Sequence, residues 1–426
     1  MFHIRFLKVP YIKPLQLASS KDQARKLSTR SNGTNGSMKH GNGMSISKLQ
    51  DSKTTSNFAA CTTNAVVTLT TELGDDFFYG NVSLRVQLMF YSSDKVITVT
   101  ETRVRWKTGM RAISIELEVP TKQVDRISKS YGKDLRYHMR VTADTDNNYE
   151  LDDEAYVDSD GNTMPVGFLS IESMGFFYSG LEESSGIKQA NVPRMIKYDR
   201  ENNRYVKREL KVGSKHLQLV EEIGDSMAKH LWDSGIFLSN YITSTKANYA
   251  AFIDKLSINR RPENIVELGC GCGTVGLVLS KVFQFSNVLL TDLDSGKEVC
   301  ERNIALNTTK DDAERRSNRK VEFCCFDWET SNNTEEENAK VIGRDWDLVV
   351  SCDCTYNSDS FDVLTDVLLK LLSPHSQLLL VHKERHSSED RVFDMLRDKN
   401  GLELAWRKLL EPIGAKSRVD LLLPIG

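Results

Sequence analysis

The sequence predicts an α/β protein: a Rossmann-like, doubly wound sheet of seven strands in the C-terminal half, preceded by a mostly β region and a disordered tail. Three observations carry that prediction. Short apolar runs at 265–268, 288–291, 321–326, 348–352 and 378–381 alternate with helical periodicity at 274–283, 295–307, 361–372 and 389–399. Strands buried on both faces, each followed by a crossover helix, imply a parallel sheet covered on both sides. A glycine-rich loop follows the first of these strands, and two further runs, 402–410 and 419–423, follow one another closely enough to form a terminal antiparallel pair.

The order of the chain divides it in three. Residues 1–58 are rich in Ser, Asn, Gly and Lys without apolar period, so they cannot offset chain entropy and are expected to be a disordered basic tail. Its first thirty residues hold Arg5, Lys8, Lys13, Lys21, Arg25, Lys26 and Arg30 against one acid, Asp22. That composition fits either a solvated tail or a mitochondrial transit peptide. Residues 59–180 form a β-rich domain, since apolar and polar residues alternate at 82–88 and similar runs recur at 65–69, 96–104, 113–119 and 166–171. The acidic stretch 144–161 lacks an EF-hand frame and reads as a charged loop. A hairpin is expected from 195–198 and 205–212. Leu217, Val220, Ile223, Met227, Leu231, Phe237 and Tyr241 suggest a long helix over 215–241. The polar stretches 308–320 and 329–344 read as surface insertions.

Composition narrows the function classes. At 426 residues the chain exceeds one ordinary domain. Lys plus Arg number 56 against 59 Asp plus Glu, a balance that argues against a large nucleic-acid footprint. No apolar run approaches the roughly 20 residues that span a bilayer, so no membrane is expected. Of eight cysteines, seven fall in the C-terminal half, mostly in strand-like runs. They read as reduced, buried residues, and the C-x-C spacing is unlike the C-x-x-C of structural zinc, so no metal is expected.

The loop Glu267-Leu268-Gly269-Cys270-Gly271-Cys272-Gly273 ends the strand 265–268 and opens a helix. Glycines serve where backbone turns tightly and approaches a ligand, and the carboxyl end of such a strand is where open α/β sheets bind ligands. The spacing E-L-G-x-G-x-G differs from the dinucleotide G-x-G-x-x-G and favours S-adenosylmethionine over NAD. Asp292, ending the next strand, is placed to accept from ribose hydroxyls. Asp327 and Trp328, ending the third, can border adenine.

With these residues in place the chain resembles the seven-β-strand protein-lysine methyltransferases with a D-x-x-Y motif, of the class I methyltransferase fold. The methyltransferase-like protein 22 group is nearest, through Trp232 and the stretch 302–307. The matching residues are Trp232, Glu267-Leu268-Gly269, Asp292, Asn303-Ile304-Ala305-Leu306-Asn307, Asp327-Trp328 and Asp353-Cys354-Thr355-Tyr356, within a domain spanning 190–426. The resemblance implies that Trp232 packs near the methionine part of the cofactor. It has Glu267, Gly269, Gly271 and Gly273 framing the amino-acid end, Asp292 holding ribose, and Trp328 and Cys352 flanking adenine. It also implies that Asp353 and Tyr356 are catalytic, Asp353 orienting a lysine ammonium and Tyr356 walling its channel. Lys383-Glu384-Arg385-His386 reads either as a substrate groove or as a solvated cluster. A protein substrate, a monomeric chain and a cytoplasmic or nuclear location are the corresponding expectations.

Two other function classes remain. A nucleic-acid or small-molecule methyltransferase lacks support: the proline loop of adenine-N6 enzymes is absent at 353–356, and Ser351 stands where cytosine-C5 enzymes carry proline. A non-catalytic binding module would not need the glycine loop with Glu267 and Asp292.

Overall fold

The computed structural model describes residues 2–14, 61–151, 168–179, 194–196, 204–256, 261–308, 320–383, 389–400, 402–410 and 417–424, apart from a few positions within these stretches. The expectations for residues 15–58, 152–161, 309–319 and 384–386 lie outside them.

The N-terminal unit comprises β1 (Phe2–Pro14), β2 (Cys61–Thr70), β3 (Gly80–Tyr91), β4 (Val96–Trp106), β5 (Ile113–Val119), helix α1 (Thr121–Tyr131) and β6 (Arg136–Leu151). Short strands β7 (Phe168–Leu169), β8 (Ile171–Ser173), β9 (Phe176–Ser179) and β10 (Arg194–Ile196) follow, then β11 (Tyr205–Val212) and β12 (Lys215–Glu222). One sheet runs β5-β2-β1-β7, and a second runs β10-β9-β6-β8-β11-β12 with β3 and β4 attached at β6. The alternation that predicted β3 is its burial pattern: Val82, Leu84, Val86 and Leu88 are buried while Ser83, Arg85 and Gln87 are half-buried. The two sheets close on one apolar cluster that includes Ile4, Phe6, Trp106 and Tyr137.

Four expectations are corrected in this half. The first residues are not tail, because β1 pairs antiparallel with β2 and inserts Ile4 and Phe6 into the core. Its alternating Phe2-His3-Ile4-Arg5-Phe6 is hidden within a basic composition. The acidic stretch begins inside β6, where Asp144 lies opposite Ser83. Residues 215–241 are not one helix. Lys215–Glu222 is a strand, a single 3-10 turn occupies Met227–Lys229, and the helix starts at Asp233. The spacing of Leu217, Val220 and Ile223 is helical, whereas Leu217 and Leu219 carry the period of two that the strand follows. The hairpin partner of β11 is therefore β12, with Tyr205 opposite Glu222, while β10 pairs with β9.

The C-terminal half follows its prediction closely. Helices α2 (Asp233–Ser244) and α3 (Lys246–Leu256) lead into β13 (Asn264–Leu268), α4 (Thr274–Val282), β14 (Asn287–Asp292), α5 (Asp294–Asn307) and β15 (Val321–Cys325). Then come α6 (Glu335–Val341), β16 (Leu348–Cys352), α7 (Phe361–Leu371), β17 (Gln377–Lys383), α8 (Asp390–Asn400), β18 (Leu402–Leu410) and β19 (Ser417–Pro424). The seven-stranded sheet has the order β15-β14-β13-β16-β17-β19-β18. Its first five strands are parallel, and β19 runs antiparallel to both neighbours. Apolar clusters cover its two faces, and Leu210, Leu217 and Leu219 of the β11–β12 hairpin belong to the same cluster as α2 and α4. The polar stretch expected as an insertion at 329–344 contains α6, started by a capping box between Thr334 and Glu337.

Among the described residues no helix is long and apolar enough to cross a membrane.

Candidate active site

The order 3-2-1-4-5 of the parallel strands, written from β13 as first, puts a topological switch between β13 and β16, where open sheets hold ligands. A cavity of about 490 Å³ opens there at the strands' carboxyl ends. Each residue expected at the site lines it except Gly273.

The glycine loop forms one wall. Gly269, Gly271 and Gly273 all have left-handed φ, at 62°, 52° and 72°, a region where a side chain strains the backbone. A Cβ at Gly269 would stand 2.6 Å from the Cys354 sulfur and 3.1 Å from the Trp328 ring. A Cβ at Gly271 would stand 3.2 Å from the Ala228 carbonyl. Gly273 serves a different purpose from the one expected: a Cβ there would stand 2.9 Å from Leu290 and 3.1 Å from the Cys300 sulfur. It is the left-handed residue from which α4 starts, and it lets the helix pack closely on β14.

A buried carboxylate, Glu267, and a half-buried one, Asp292, brace the loop and the helix that follows it. Glu267 accepts from Gly276 N at 2.7 Å, and burial pushes its carboxyl up to about 8, with the Gly276 bond opposing and nearby Asp292 adding. Asp292 accepts from Gly271 N and from Leu293 N, each at 2.7 Å. Burial raises its carboxyl above the usual range against those bonds. Both acids thus lie at the cavity wall where a cationic or hydroxyl-rich ligand favours their charged forms.

The opposite wall comes from β15 and β16. Asp327 accepts from Glu329 N at 3.0 Å and from the Asn332 amide at 2.9 Å, which fixes the turn carrying Trp328. Cys352 ends β16, and Asp353 follows with φ 54°, the one left-handed non-glycine among the described residues. The Asp353 carboxylate accepts from Ser234 Oγ at 2.7 Å, Ser234 N at 3.1 Å and Lys383 N at 3.3 Å. Tyr356 stands at the mouth, 55% exposed. Trp232 closes the far side, its indole donating to the Met227 carbonyl at 3.1 Å.

The family resemblance includes Asn303 and Asn307 without giving them a role, and the structure supplies one. Asn303 of α5 accepts from Val220 N at 2.6 Å and donates to the carbonyls of Val220 at 3.0 Å and Cys272 at 2.9 Å. Asn307, one turn on, repeats the exchange with Gln218. The pair continues the β11–β12 sheet onto a helix and ties it to the glycine loop. Two asparagines four residues apart share one helix face, which was the available signal. Asn303→Leu is expected to cost about 1–3 kcal/mol by leaving buried backbone groups unpaired. A urea melt of the variant within error of wild type would remove this role.

Residues 211–399 match the family model described as lysine methyltransferase. A Schizosaccharomyces pombe protein described as UPF0665 family protein C23C4.06c is 24% identical over 326 residues, covering 76% of this chain and 84% of its own length. The Xenopus tropicalis EEF1A lysine methyltransferase 3 is 25% identical over 201 residues, 46% of this chain and 78% of its own. The Bos taurus histidine protein methyltransferase 1 homolog is 25% identical over 192 residues, 40% of this chain and 47% of its own. Residues 211–399, with their sheet order and glycine cradle, are thus similar to the lysine methyltransferase family.

Proposed function

We propose that the chain methylates a lysine side chain of a protein, with S-adenosylmethionine held in the cavity between β13 and β16. The observation that supports this reading most is the separation of two acidic groups along one sheet edge. Glu267 and Asp292 brace the glycine cradle, whereas Asp353 and Tyr356 lie across the switch, just past β16. The cradle fits the cofactor, since Gly269 and Gly271 present bare backbone to the cavity where neighbouring atoms leave no room for a side chain. Glu267, Gly269 and Gly271 would hold the amino-acid end, Asp292 the ribose, and Asp327, Trp328 and Cys352 the adenine, with Trp232 closing the methionine side. Bound there, the cofactor supplies an electrophilic methyl on a cationic sulfonium.

A free lysine amine, with pKa near 10.4, is mostly protonated at neutral pH and must lose that proton before it attacks. Asp353 attracts and orients the incoming ammonium, and Tyr356 offers its ring to the cation at the mouth. Holding the amine in line contributes through proximity. The D-x-x-Y assignment, the kinship with the methyltransferase-like protein 22 group and a cytoplasmic or nuclear site of action belong to the same reading. Histidine methylation is the second reading, supported by the likeness to histidine protein methyltransferases. Transfer of labelled methyl from S-adenosylmethionine to total protein of cells lacking this chain, followed by amino-acid analysis, tests both. Nε-methyllysine is the expected product. Methylhistidine alone, or label removed by nuclease, would overturn the lysine assignment.

Glu267 gives the reading a pH signature. With its carboxyl raised to about 8, the free site holds it protonated below that pH, whereas the cofactor's ammonium favours the ionised form. Cofactor binding therefore releases a proton, and affinity rises by up to about tenfold per pH unit until about pH 8, then levels off. The same shift stabilises the free fold most below the ordinary carboxylate range, and that contribution is lost as pH rises towards 8. Calorimetry in buffers of different ionisation enthalpy reads the proton. Glu267→Gln is expected to abolish its release, and an unchanged release would assign it elsewhere.

A further inference from the structure

The first turn of α2 touches the active site twice and the N-terminal strand once. Ser234 holds the Asp353 carboxylate through its backbone N–H and hydroxyl. Its neighbour Asp233 accepts from His3 Nε2 at 2.9 Å and from Lys383 Nζ at 3.1 Å. Lys383 therefore serves both acids, its ammonium on Asp233 and its backbone N–H on Asp353. His3, Asp233 and Ser234 are fully buried.

His3 belongs to β1, in register with Thr70 and Leu169, and lies 230 residues from Asp233 in sequence. Burial lowers the His3 pKa despite the adjacent carboxylate, so the ring is neutral and donates from Nε2, while Nδ1 has no hydrogen-bond partner. A neutral donor fixes the direction of Asp233 without neutralising it. A second buried link holds β1 in place. Arg208 donates to the Ile4 carbonyl at 2.7 Å and to the Ser170 carbonyl at 2.8 Å, and pairs with Glu221. Glu221 in turn accepts from Leu231 N at 3.0 Å. Burial opposes ionisation of Glu221, but Arg208 and the other donors hold its carboxyl well below the usual range. Both links from β1 end within two residues of Trp232.

We propose that His3 is a positioning residue for methyl transfer: through Asp233 it fixes the first turn of α2, and through Ser234 that turn fixes the Asp353 carboxylate. The N-terminal β unit thereby supports the acceptor side of the active site rather than standing apart from it. This rests on the reading of Asp353 as the group that meets the acceptor. The cradle for the cofactor has its own braces, Glu267, Asp292 and Asn303, none of which contacts His3.

The test uses the full chain, labelled S-adenosylmethionine and total protein from cells lacking it. His3→Leu fills the space without a donor, and His3→Gln restores one. His3→Leu is expected to slow transfer about tenfold or more, since small misplacements of reacting groups are costly. Cofactor affinity by calorimetry should stay within about threefold, because ground-state cofactor contacts are untouched. Amide exchange over residues 233–236 should quicken. His3→Gln should recover most of the rate and the protection. Normal transfer by His3→Leu alongside a silent Asp353→Ala overturns the proposal and leaves the role of Asp353 standing. Normal transfer by Asp353→Ala overturns that role instead. Cofactor affinity falling in step with rate would make His3 a general structural residue, which also overturns the proposal. Should His3→Leu fail to fold, His3→Gln and Asp233→Asn decide: slow transfer by Asp233→Asn with fast transfer by His3→Gln upholds it, and full activity of Asp233→Asn overturns it.

Discussion

Asp353→Asn is expected to slow methyl transfer by about two to four powers of ten while leaving cofactor affinity within a few-fold, the size of effect a positioned acid or base contributes. Asparagine tolerates the left-handed φ of 54° at this position nearly as well as aspartate, so the backbone is retained while the charge is removed. Its oxygen can keep Ser234 Oγ and Lys383 N, which share Oδ1, so beside the charge only the bond from Ser234 N to Oδ2 is lost. Asp353→Ala adds backbone strain of about 1–2 kcal/mol and should be both inactive and less stable. A residue that acts on the acceptor lowers turnover rather than cofactor occupancy. Normal turnover by Asp353→Asn, with correct folding and cofactor binding, would end the proposed mechanism.

Gly271→Arg is expected to abolish cofactor binding in a protein that still folds. The left-handed φ of 52° disfavours any side chain there, and the new Cβ would press on the Ala228 carbonyl at 3.2 Å. The rest of the arginine would then occupy the cavity that Gly271 lines. Gly273→Ala separates this effect from folding. Its Cβ would meet Leu290 and the Cys300 sulfur beneath the loop, so stability should fall while the cavity keeps its shape. Calorimetry and thermal unfolding together distinguish the two. Intact affinity in folded Gly271→Arg would remove the cradle from the cofactor site.

The catalytic half was legible because its elements are long in their own period and bounded by clear signals. Val266 and Leu268 sit in a parallel strand buried on both faces, and the glycine loop after them fixes the edge at which the site forms. The site's first layer was legible for the same reason, since Glu267, Asp292, Asp327 and Asp353 each lie at or just past a strand end. Its second layer was not. Ser234 meets Asp353 across 119 residues and Asn303 meets Val220 across 83, and no local period encodes such meetings. The strand at Lys215–Glu222 was lost to a helical period because eight residues with apolar positions 217, 219 and 220 satisfy both patterns. Strand β1 was lost because average composition over the first sixty residues outweighed five alternating positions.

Strand β1 also sets an order of assembly during synthesis. His3 is made before each of its partners: β2 begins 58 residues later, Asp233 follows 230 residues later, and Lys383 comes only after the sheet's fourth strand. Closing such long loops is slow, and strands awaiting distant partners expose their edges meanwhile. Strand β1 therefore finds its sheet partners early, but the Asp233 carboxylate that His3 meets and the Lys383 ammonium that shares it come only in the second half of the chain. Pausing of the ribosome before residue 233 would leave β1 with its sheet partners but without the carboxylate that His3 holds, a state open to capture by chaperones.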